Sequence, residues 1–311
     1  MKLEDLPSRC FHGVIPSLVA TSDAEGTPNV SYLSSVERLP GERVALSCQF
    51  FNKTKQNVLV QPYACMELYD AVTFEAYRLE LLYHHEELEG PLFERMALRI
   101  DAIASHVGMK GVFRLRSANV FDVLSVERRD HFLDGSELPP HQHSPDLRPR
   151  SELRALQTIS SRIRDCSSLD ALLHELFAAL EAELGFDHAM VLVPDECGEK
   201  LFVIGTHGYP EDLVGGEEGM GNGLVGTVAQ QRAIVRVSGV GSDLRYQRAI
   251  RAGLERAGAR QGLASEIPLP GLPDAQSHLG IPLVAGDRLL GVLAVESRDR
   301  TAFDEGHEAF L

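Results

Sequence analysis

The spacing of hydrophobic positions changes near the middle of this chain. Before residue 130, short alternating runs typical of strands are separated by turns rich in glycine and proline. One stretch, Pro91–His106, instead places apolar residues at helical spacing. Six or seven mostly antiparallel strands with one or two helices predict a small β-barrel. The strands are predicted at residues 14–22, 30–36, 43–48, 64–69, 73–82, 111–115 and 120–126.

Residues 131–149 interrupt every periodic pattern. They contain four prolines and few residues that a core would bury, which predicts an exposed connector over 131–150. His141 and His143 lie there without nearby cysteine or carboxylate ligands, so a solvated linker is favoured over a metal site. The prediction is therefore two domains, residues 1–130 and 151–311.

Helical spacing dominates the second half. A narrow apolar stripe along residues 151–164 suits a partner helix, and a broader apolar face follows over residues 169–184. The run Ser167-Ser168-Leu169-Asp170 resembles a capping box and is expected to begin this second helix, and Gly185 is expected to end it. Further helices are predicted at 221–231 and 243–257, strands at 189–193 and 201–205, and a β-hairpin at 281–285 and 289–296. The stripe consists of Leu153, Leu156, Ile159 and Ile163.

Composition and charge exclude several classes of function. The chain has 311 residues, 44% hydrophobic residues and a net charge of −15, and neither half is basic. A nucleic-acid surface that neutralises phosphates is therefore not expected. The five cysteines show no CxxC motif, and no apolar run approaches the length of a membrane span. These features predict a soluble, cytoplasmic protein that contacts no membrane.

One polar turn carries candidate phosphate chemistry. An apolar run ends at Ser47, and a turn carrying Lys53, Thr54 and Lys55 leads to a second segment that stops at Pro62. Hydroxyls donate hydrogen bonds to phosphate oxygens, and the two ammonium groups supply positive charge. The alternative is an ordinary polar turn between two elements.

Two passages resemble the pyridoxamine 5'-phosphate oxidase-like flavin split barrels. They are LSCQFFNKTKQNVLVQP at residues 46–62 and GPLFERMALRIDAIASHVGMKGVFRL at 90–115, and the likeness covers about residues 10–130. The resemblance implies an antiparallel split β-barrel that binds FMN or a related flavin, such as a deazaflavin, in a groove at a homodimer interface. It also implies a set of cofactor-binding residues: Ser47 and Gln49 at the isoalloxazine edge or ribityl chain, Lys53 and Thr54 at the phosphate, and Gln56 or Asn57 nearby.

The chain departs from that family in two respects. The turn offers no arginine for the phosphate, and no basic pocket for a pyridoxamine phosphate substrate is evident. Phe50 and Phe51 are candidates for an apolar wall beside the flavin, although a place in the core is the simpler interpretation. Some relatives of this fold bind haem through histidine. For the pair His84 and His85, a solvated charged loop is the favoured alternative.

Residues 151–311 resemble a GAF domain, the small-molecule-sensing module of signalling proteins. The likeness rests on the helix at 169–184, the turn GMGNGLVG at 219–226, the hairpin LGIPLVAGDRLLGVLAVES and the closing Phe303-Asp304-Glu305. It implies an α/β/α sandwich with a central antiparallel sheet, so the whole chain is expected to be α+β. The glycines of the turn are interpreted as a tight helix start, because no βαβ unit surrounds them.

The ligand of this GAF-like half is not identified by the sequence. The motif at Phe303 lacks the asparagine and lysine of cyclic-nucleotide sites, and Cys166 and Cys197 do not lie where a bilin would attach. GAF domains close with a helix of about five turns, whereas here the sequence gives about one and a half. We therefore expect a fragment of a longer signalling protein in which an output domain follows Leu311.

The sequence favours a sensory or regulatory input region over an enzyme. We assign no catalytic residue, because no nucleophile and base, metal cluster or carboxylate pair is evident. The chain is expected to form a homodimer that binds a flavin-type ligand in the barrel and a small molecule in the GAF half. Two alternatives remain: a flavin-dependent oxidoreductase regulated by its GAF domain, and a structural module that has lost both ligands.

Overall fold

A computed structural model describes residues 1–33, 35–49, 52–129, 149–164, 166–209, 213–259, 261–269 and 271–310. Internal contacts divide the chain into two compact units. The first comprises Met1–Asp101 and Gly111–Gln142, and the second comprises Ala102–Lys110 and His143–Leu311. The short segment Ala102–Lys110 therefore belongs to the C-terminal unit, although it lies within the N-terminal half of the sequence.

The first unit is an antiparallel split β-barrel, as the sequence predicted. Its seven strands lie in the order β2-β1-β5-β6-β7-β4-β3, and register shifts in the β6–β7 pair bend these two long strands. Alternate side chains such as Val19, Met66 and Leu79 point inward and are fully buried. The elements are β1 Ser17–Ser22, β2 Pro28–Leu33, β3 Val36–Leu39, β4 Arg43–Cys48, α1 Asn52–Val60, β5 Tyr63–Tyr69, β6 Ala76–Glu87, α2 Pro91–His106 and β7 Ser117–Arg129.

The second unit contains a six-stranded antiparallel sheet in the order β10-β9-β8-β13-β12-β11. One face of this sheet packs on helices α3 and α4 in a single apolar core, so the predicted sandwich with a central antiparallel sheet is confirmed. The elements are α3 Pro149–Arg164, α4 Leu169–Leu184, β8 His188–Pro194, β9 Lys200–His207, β10 Glu217–Gly219, α5 Gly223–Gln231, β11 Val235–Ser238, α6 Val240–Arg256, β12 Ser277–Ala285, β13 Arg288–Ser297 and α7 Glu305–Phe310.

Several predicted elements of the first unit differ from the structure. The strand predicted at residues 111–115 is wrong, because Gly111 has a φ of 77° and the backbone there forms turns. The predicted strand at 30–36 is two strands that end at Leu33 and begin again at Val36. His84 and His85 lie on β6 and not in a loop, since pairing with β7 continues to Glu87.

The predicted polar turn of Lys53, Thr54 and Lys55 is the first turn of helix α1. The helix that carries the candidate phosphate residues thus begins at Asn52, whereas the sequence placed the start of the second segment at residue 56. The expected linker, residues 131–150, lies largely outside the described residues. Helix α3 begins at Pro149, one residue before the predicted end of that linker.

The apolar stripe of α3 is divided between two environments. Ile159 is buried in the core of its own unit, whereas Leu156 is 48% exposed. Part of the stripe that suggested a partner helix is therefore covered by α4 of the same chain.

Helix α4 begins and ends at the predicted residues. The hydroxyl of Ser168 accepts a hydrogen bond of 3.2 Å from the Ala171 N–H, and Gly185 adopts the left-handed conformation that ends the helix. The capping signals in the sequence were sufficient here because both act within one helical turn.

We expect Ser168→Ala to lower the free energy of unfolding of the C-terminal unit by about 1 kcal/mol, because one helix N–H loses its acceptor. Urea denaturation followed by circular dichroism measures this. The exposed neighbour Ser167, changed to alanine, is the control. An equal loss in both variants would contradict the capping assignment.

Candidate functional site

Both lysines of the predicted phosphate site already have acidic partners. Lys53 Nζ lies 2.9 Å from Asp23 Oδ2, and Lys55 Nζ lies 2.5 Å from Glu86 Oε1. The Lys53 side chain is 52% exposed, so its ammonium group remains open to solvent on one side. The first turn of α1 also presents backbone N–H groups, which favour an anion.

Two neighbouring polar residues, Thr54 and Asn57, form hydrogen bonds with strands of the barrel. Thr54 is buried, and its hydroxyl lies 2.8 Å from Ser31 Oγ and accepts a hydrogen bond of 3.0 Å from Asn29. Asn57, one turn later, donates to Thr21 Oγ1 at 3.1 Å. Gln56 is exposed. Thr54 and Asn57 therefore attach α1 to strands β1 and β2.

Ser47 and Gln49 lie at the end of β4, and both are buried. The Ser47 hydroxyl accepts a hydrogen bond from the backbone N–H of Ser35, at 3.2 Å. Gln49 Nε2 has no partner among the described residues, and Phe50 and Phe51 lie outside them. An unsatisfied amide donor fits the carbonyl-rich edge of a flavin, so the residues present are compatible with that group.

A second polar site, which the sequence did not indicate, lies on the sheet of the C-terminal unit. Strand register aligns Val237, His278, Glu296 and His188 across four adjacent strands. Side chains of paired residues share a face, and this face is opposite to the apolar core on α4. Within this row, His278 and Glu296 are each 1% exposed.

Glu296 is bonded at one oxygen only. Its Oε2 accepts hydrogen bonds from the Leu272 N–H at 2.6 Å and from the Tyr209 hydroxyl at 3.2 Å. Its Oε1 has no hydrogen-bond partner within the residues that the structure describes, and His278 Nδ1 lies 3.6 Å from it. Burial, together with the Glu296 charge, raises the pKa of Tyr209 well above its usual value.

Glu218 brings a second buried carboxyl group from edge strand β10. A Cβ at Gly223 would collide with Glu218 Oε1 and lie 3.0 Å from His106 Cε1, so the lack of a side chain at Gly223 leaves room for both groups. Burial, with a contribution from Glu296, raises the pKa of Glu218 to about 8. Oε1 of Glu218 has no hydrogen-bond partner in the part of the chain that the structure describes.

His106 is held in one tautomer beside Glu218. Its Nδ1–H donates to the Ile267 carbonyl at 3.0 Å, and its Nε2 accepts a hydrogen bond of 2.9 Å from the Leu224 N–H at the start of α5. Burial and the nearby His278 lower the pKa of His106 to about 4. The imidazole is therefore neutral, and its two nitrogens are fully used.

Backbone hydrogen bonds fix the segment that carries His106. Ile267 N–H donates to the His106 carbonyl and Ala264 N–H donates to the Gly108 carbonyl, both at 2.8 Å. A Cβ at Gly108, whose φ is 64°, would collide with the Ala264 carbonyl, so glycine is required for this approach. Two backbone hydrogen bonds thus hold the end of α2 and the turn that follows it against residues 264–267, on this side of the site.

The sequence contained a weak signal for this site. His278 and Glu296 are polar residues inside strongly apolar hairpin strands. Their alternation with apolar residues shows that they share a face, but only strand register shows that they are neighbours. Within the described residues, no group of three or more histidines, cysteines, aspartates or glutamates could hold a metal ion.

A family model described as GAF domain matches residues 168–311, so this part of the chain is a GAF domain. The glycine-rich turn starts helix α5, which confirms its interpretation as a tight helix start. A GAF domain gives the chain a sensory or regulatory role in general.

Solved structures are similar to each half. The GAF domain of an Acinetobacter phosphoenolpyruvate-protein phosphotransferase is 21% identical over 51% of this chain and 84% of its own, with a TM-score of 0.40. An FMN-binding protein from Syntrophomonas wolfei is 16% identical over 40% of this chain and 86% of its own, with a TM-score of 0.34. HupZ from Group A Streptococcus is 16% identical over 41% of this chain and 94% of its own, with a TM-score of 0.31.

No curated protein matches the sequence. Among the helices that the structure describes, none combines the length and the apolar character needed to cross a membrane.

The raised pKa of Glu218 predicts a pH-dependent stability. Folding favours the protonated form of Glu218. The contribution of this group to the stability of the fold is therefore complete below pH 4.5, the ordinary pKa of a glutamate, and is lost as the pH rises through the folded-state pKa of about 8. We expect Glu218→Gln, which mimics the neutral acid, to melt at a temperature that increasingly exceeds the wild-type value between about pH 5 and about pH 9. Calorimetry measures this difference. Exposed Glu217, changed to glutamine, is the control, and an identical pH dependence of wild type and Glu218→Gln would contradict the assignment.

Proposed function

We propose that the chain is a sensory input region whose GAF domain binds a small molecule at the buried polar site. One observation carries this proposal: Glu218, His278 and Glu296 are at most 9% exposed, yet each has side-chain atoms that find no hydrogen-bond partner in the described part of the chain. Buried polar groups in proteins are nearly always satisfied, because an unsatisfied one costs about 1–3 kcal/mol. A bound molecule would satisfy them together.

The position of the site suits regulation. Its covering elements are helix α5, the residues near Leu272 and the segment Ala102–Lys110, each hydrogen-bonded to a site residue or to its neighbour. A molecule can enter only when one of these elements opens. Binding would therefore change the conformation of a covering element, which is the change that a sensor transmits.

We further propose a flavin-type ligand in the split barrel, as the resemblance of residues 46–62 implies. Gln49 Nε2 is a buried donor without a partner, and Lys53 presents a half-exposed ammonium group at the start of α1. The predicted site residues Ser47, Gln49, Lys53, Thr54, Gln56 and Asn57 remain the proposed contacts. FMN, if bound, would supply redox chemistry; the chain's own residues bind and orient it.

The proposal includes the domain division of 1–130 and 151–311 and a homodimer. Exposed Leu156 on α3 and the groove implied by the barrel family both favour a second copy. Sedimentation at micromolar concentration measures the mass, and a monomer there would contradict this part of the proposal.

The first experiment addresses the GAF site. We expect compounds in a metabolite library that raise the melting temperature of the wild-type chain to lose that effect in His278→Ala. Exposed His174 on α4, changed to alanine, is the matched control and should respond like the wild type. The proposal fails if no compound shifts the melting temperature, or if His278→Ala still responds fully.

The second experiment addresses the barrel. We expect the purified chain to show a flavin absorbance spectrum and the double variant Lys53→Ala with Thr54→Ala to lose it while circular dichroism stays unchanged. Asp23→Asn is the matched control, because it removes the acidic partner of Lys53 but keeps the cation. It should retain flavin at least as well as the wild type.

Unchanged flavin stoichiometry in the double variant would refute the site assignment. A colourless wild-type chain that takes up no added FMN would refute flavin binding altogether. Bleaching by a nicotinamide cofactor with multiple turnovers would favour the flavin-dependent oxidoreductase over the sensor.

A further inference from the structure

The unpartnered atoms of the GAF site are mainly hydrogen-bond acceptors. Among the described residues, Oε1 of Glu296, Oε1 of Glu218 and both ring nitrogens of His278 have no hydrogen-bond partner. A neutral imidazole offers one of its two nitrogens as an acceptor. A ligand that satisfies this set must bring hydrogen-bond donors. Water can supply hydrogen-bond donors, but it cannot supply a positive charge to balance the buried carboxyl groups.

No cation of the described residues compensates the buried carboxyl groups. Neither Glu218 nor Glu296 forms an ion pair with a lysine or an arginine there. Three basic side chains of this unit are engaged elsewhere: Lys110 donates to the Gly221 carbonyl, Arg251 donates to the Val107 carbonyl, and Arg298 pairs with Asp274. A buried carboxylate without a cation is strongly unfavourable.

An ion pair with His278 would not complete the site by itself. The Nδ1 to Oε1 distance of 3.6 Å exceeds a hydrogen bond. A protonated His278 would also leave its Nε2–H without an acceptor, since that nitrogen has no partner. Glu218 Oε1 would remain unsatisfied in either case.

We infer that the GAF site binds a small molecule through a protonated primary amino group, held by the carboxyl groups of Glu296 and Glu218 and by His278. This inference rests on the proposed function of the same site. An ammonium group offers three N–H donors and one positive charge, which matches three separate acceptors around a buried negative charge. The planar fork of a guanidinium suits a single bidentate carboxylate instead, and here only one oxygen of Glu296 is unpaired.

Proton release accompanies such binding. The pKa of Glu218 is raised because the acid is buried without a cation, so a bound ammonium group lowers it again. The charge that acts on Glu218 is that of Glu296, while the neighbouring His106 is held neutral. Calorimetric titration in buffers of different ionisation enthalpy detects the released proton.

The test uses ethanolamine, putrescine and glycine ethyl ester as amine probes, methylguanidine as the planar cation, and ethylene glycol and glycolate as neutral and anionic counterparts. Calorimetric titration of the whole chain measures affinity. We expect saturable binding of at least one amine with proton release, weakened about ten- to a hundredfold in Glu296→Gln. Glu217→Gln should bind like the wild type, and Glu296→Asp, which keeps the charge, should retain more affinity than Glu296→Gln.

The outcomes separate the two levels of inference. If only neutral, anionic or guanidinium compounds bind and His278→Ala abolishes that binding, the amine class is overturned while the proposed function stands. If an amine binds equally to wild type and Glu296→Gln, both folded by circular dichroism, the assigned contact is overturned. If neither this panel nor the metabolite library yields any ligand, the proposed function falls as well.

Discussion

The polar site of the C-terminal unit depends on one constraint: a carboxyl group buried in an apolar sheet is costly unless it has hydrogen-bond partners or a cation. Glu296 lies near the C-terminal end of strand β13, next to fully buried Val295, where two donors satisfy one of its oxygens. The other oxygen faces His278 at a distance too long for a hydrogen bond. A core built for stability alone would place an apolar residue at this position, because that residue would need no partner. The retained carboxylate therefore points to binding.

The remaining elements of this unit are arranged around that carboxylate. Glycines at 223 and 271 leave space for the carboxyl groups of Glu218 and Glu296. His106, in its neutral form, accepts a hydrogen bond from the Leu224 N–H at the start of α5, which adds a polar group beside the site without adding charge. The segment that carries it belongs to this unit by its contacts and to the barrel half by its sequence.

In the barrel unit, the charged groups of the candidate site form ion pairs with oppositely charged side chains. Lys53 and Lys55 face solvent and pair with Asp23 and Glu86, so their charges are balanced locally and at low cost. Exchange of Asp23 for a phosphate oxygen would conserve the interaction that Lys53 makes. Thr54 and Asn57, in contrast, anchor helix α1 to the barrel, which gives them a structural role whether or not a flavin binds.

The sequence by itself determined the elements whose causes are local. Helix α4 begins at Ser168 and ends at Gly185, helix α2 has its predicted bounds, and the hairpin of β12 and β13 follows from alternation and a turn. It also indicated the fold of each half. Two segments differ from the prediction: residues 111–115 form turns around Gly111, and the turn at Lys53 is the first turn of helix α1. The GAF site depended on tertiary structure alone, since Glu218, His278, Glu296 and His106 come from four separate elements. Strand register and long-range backbone pairing bring them together, and no pattern along the chain encodes those distances.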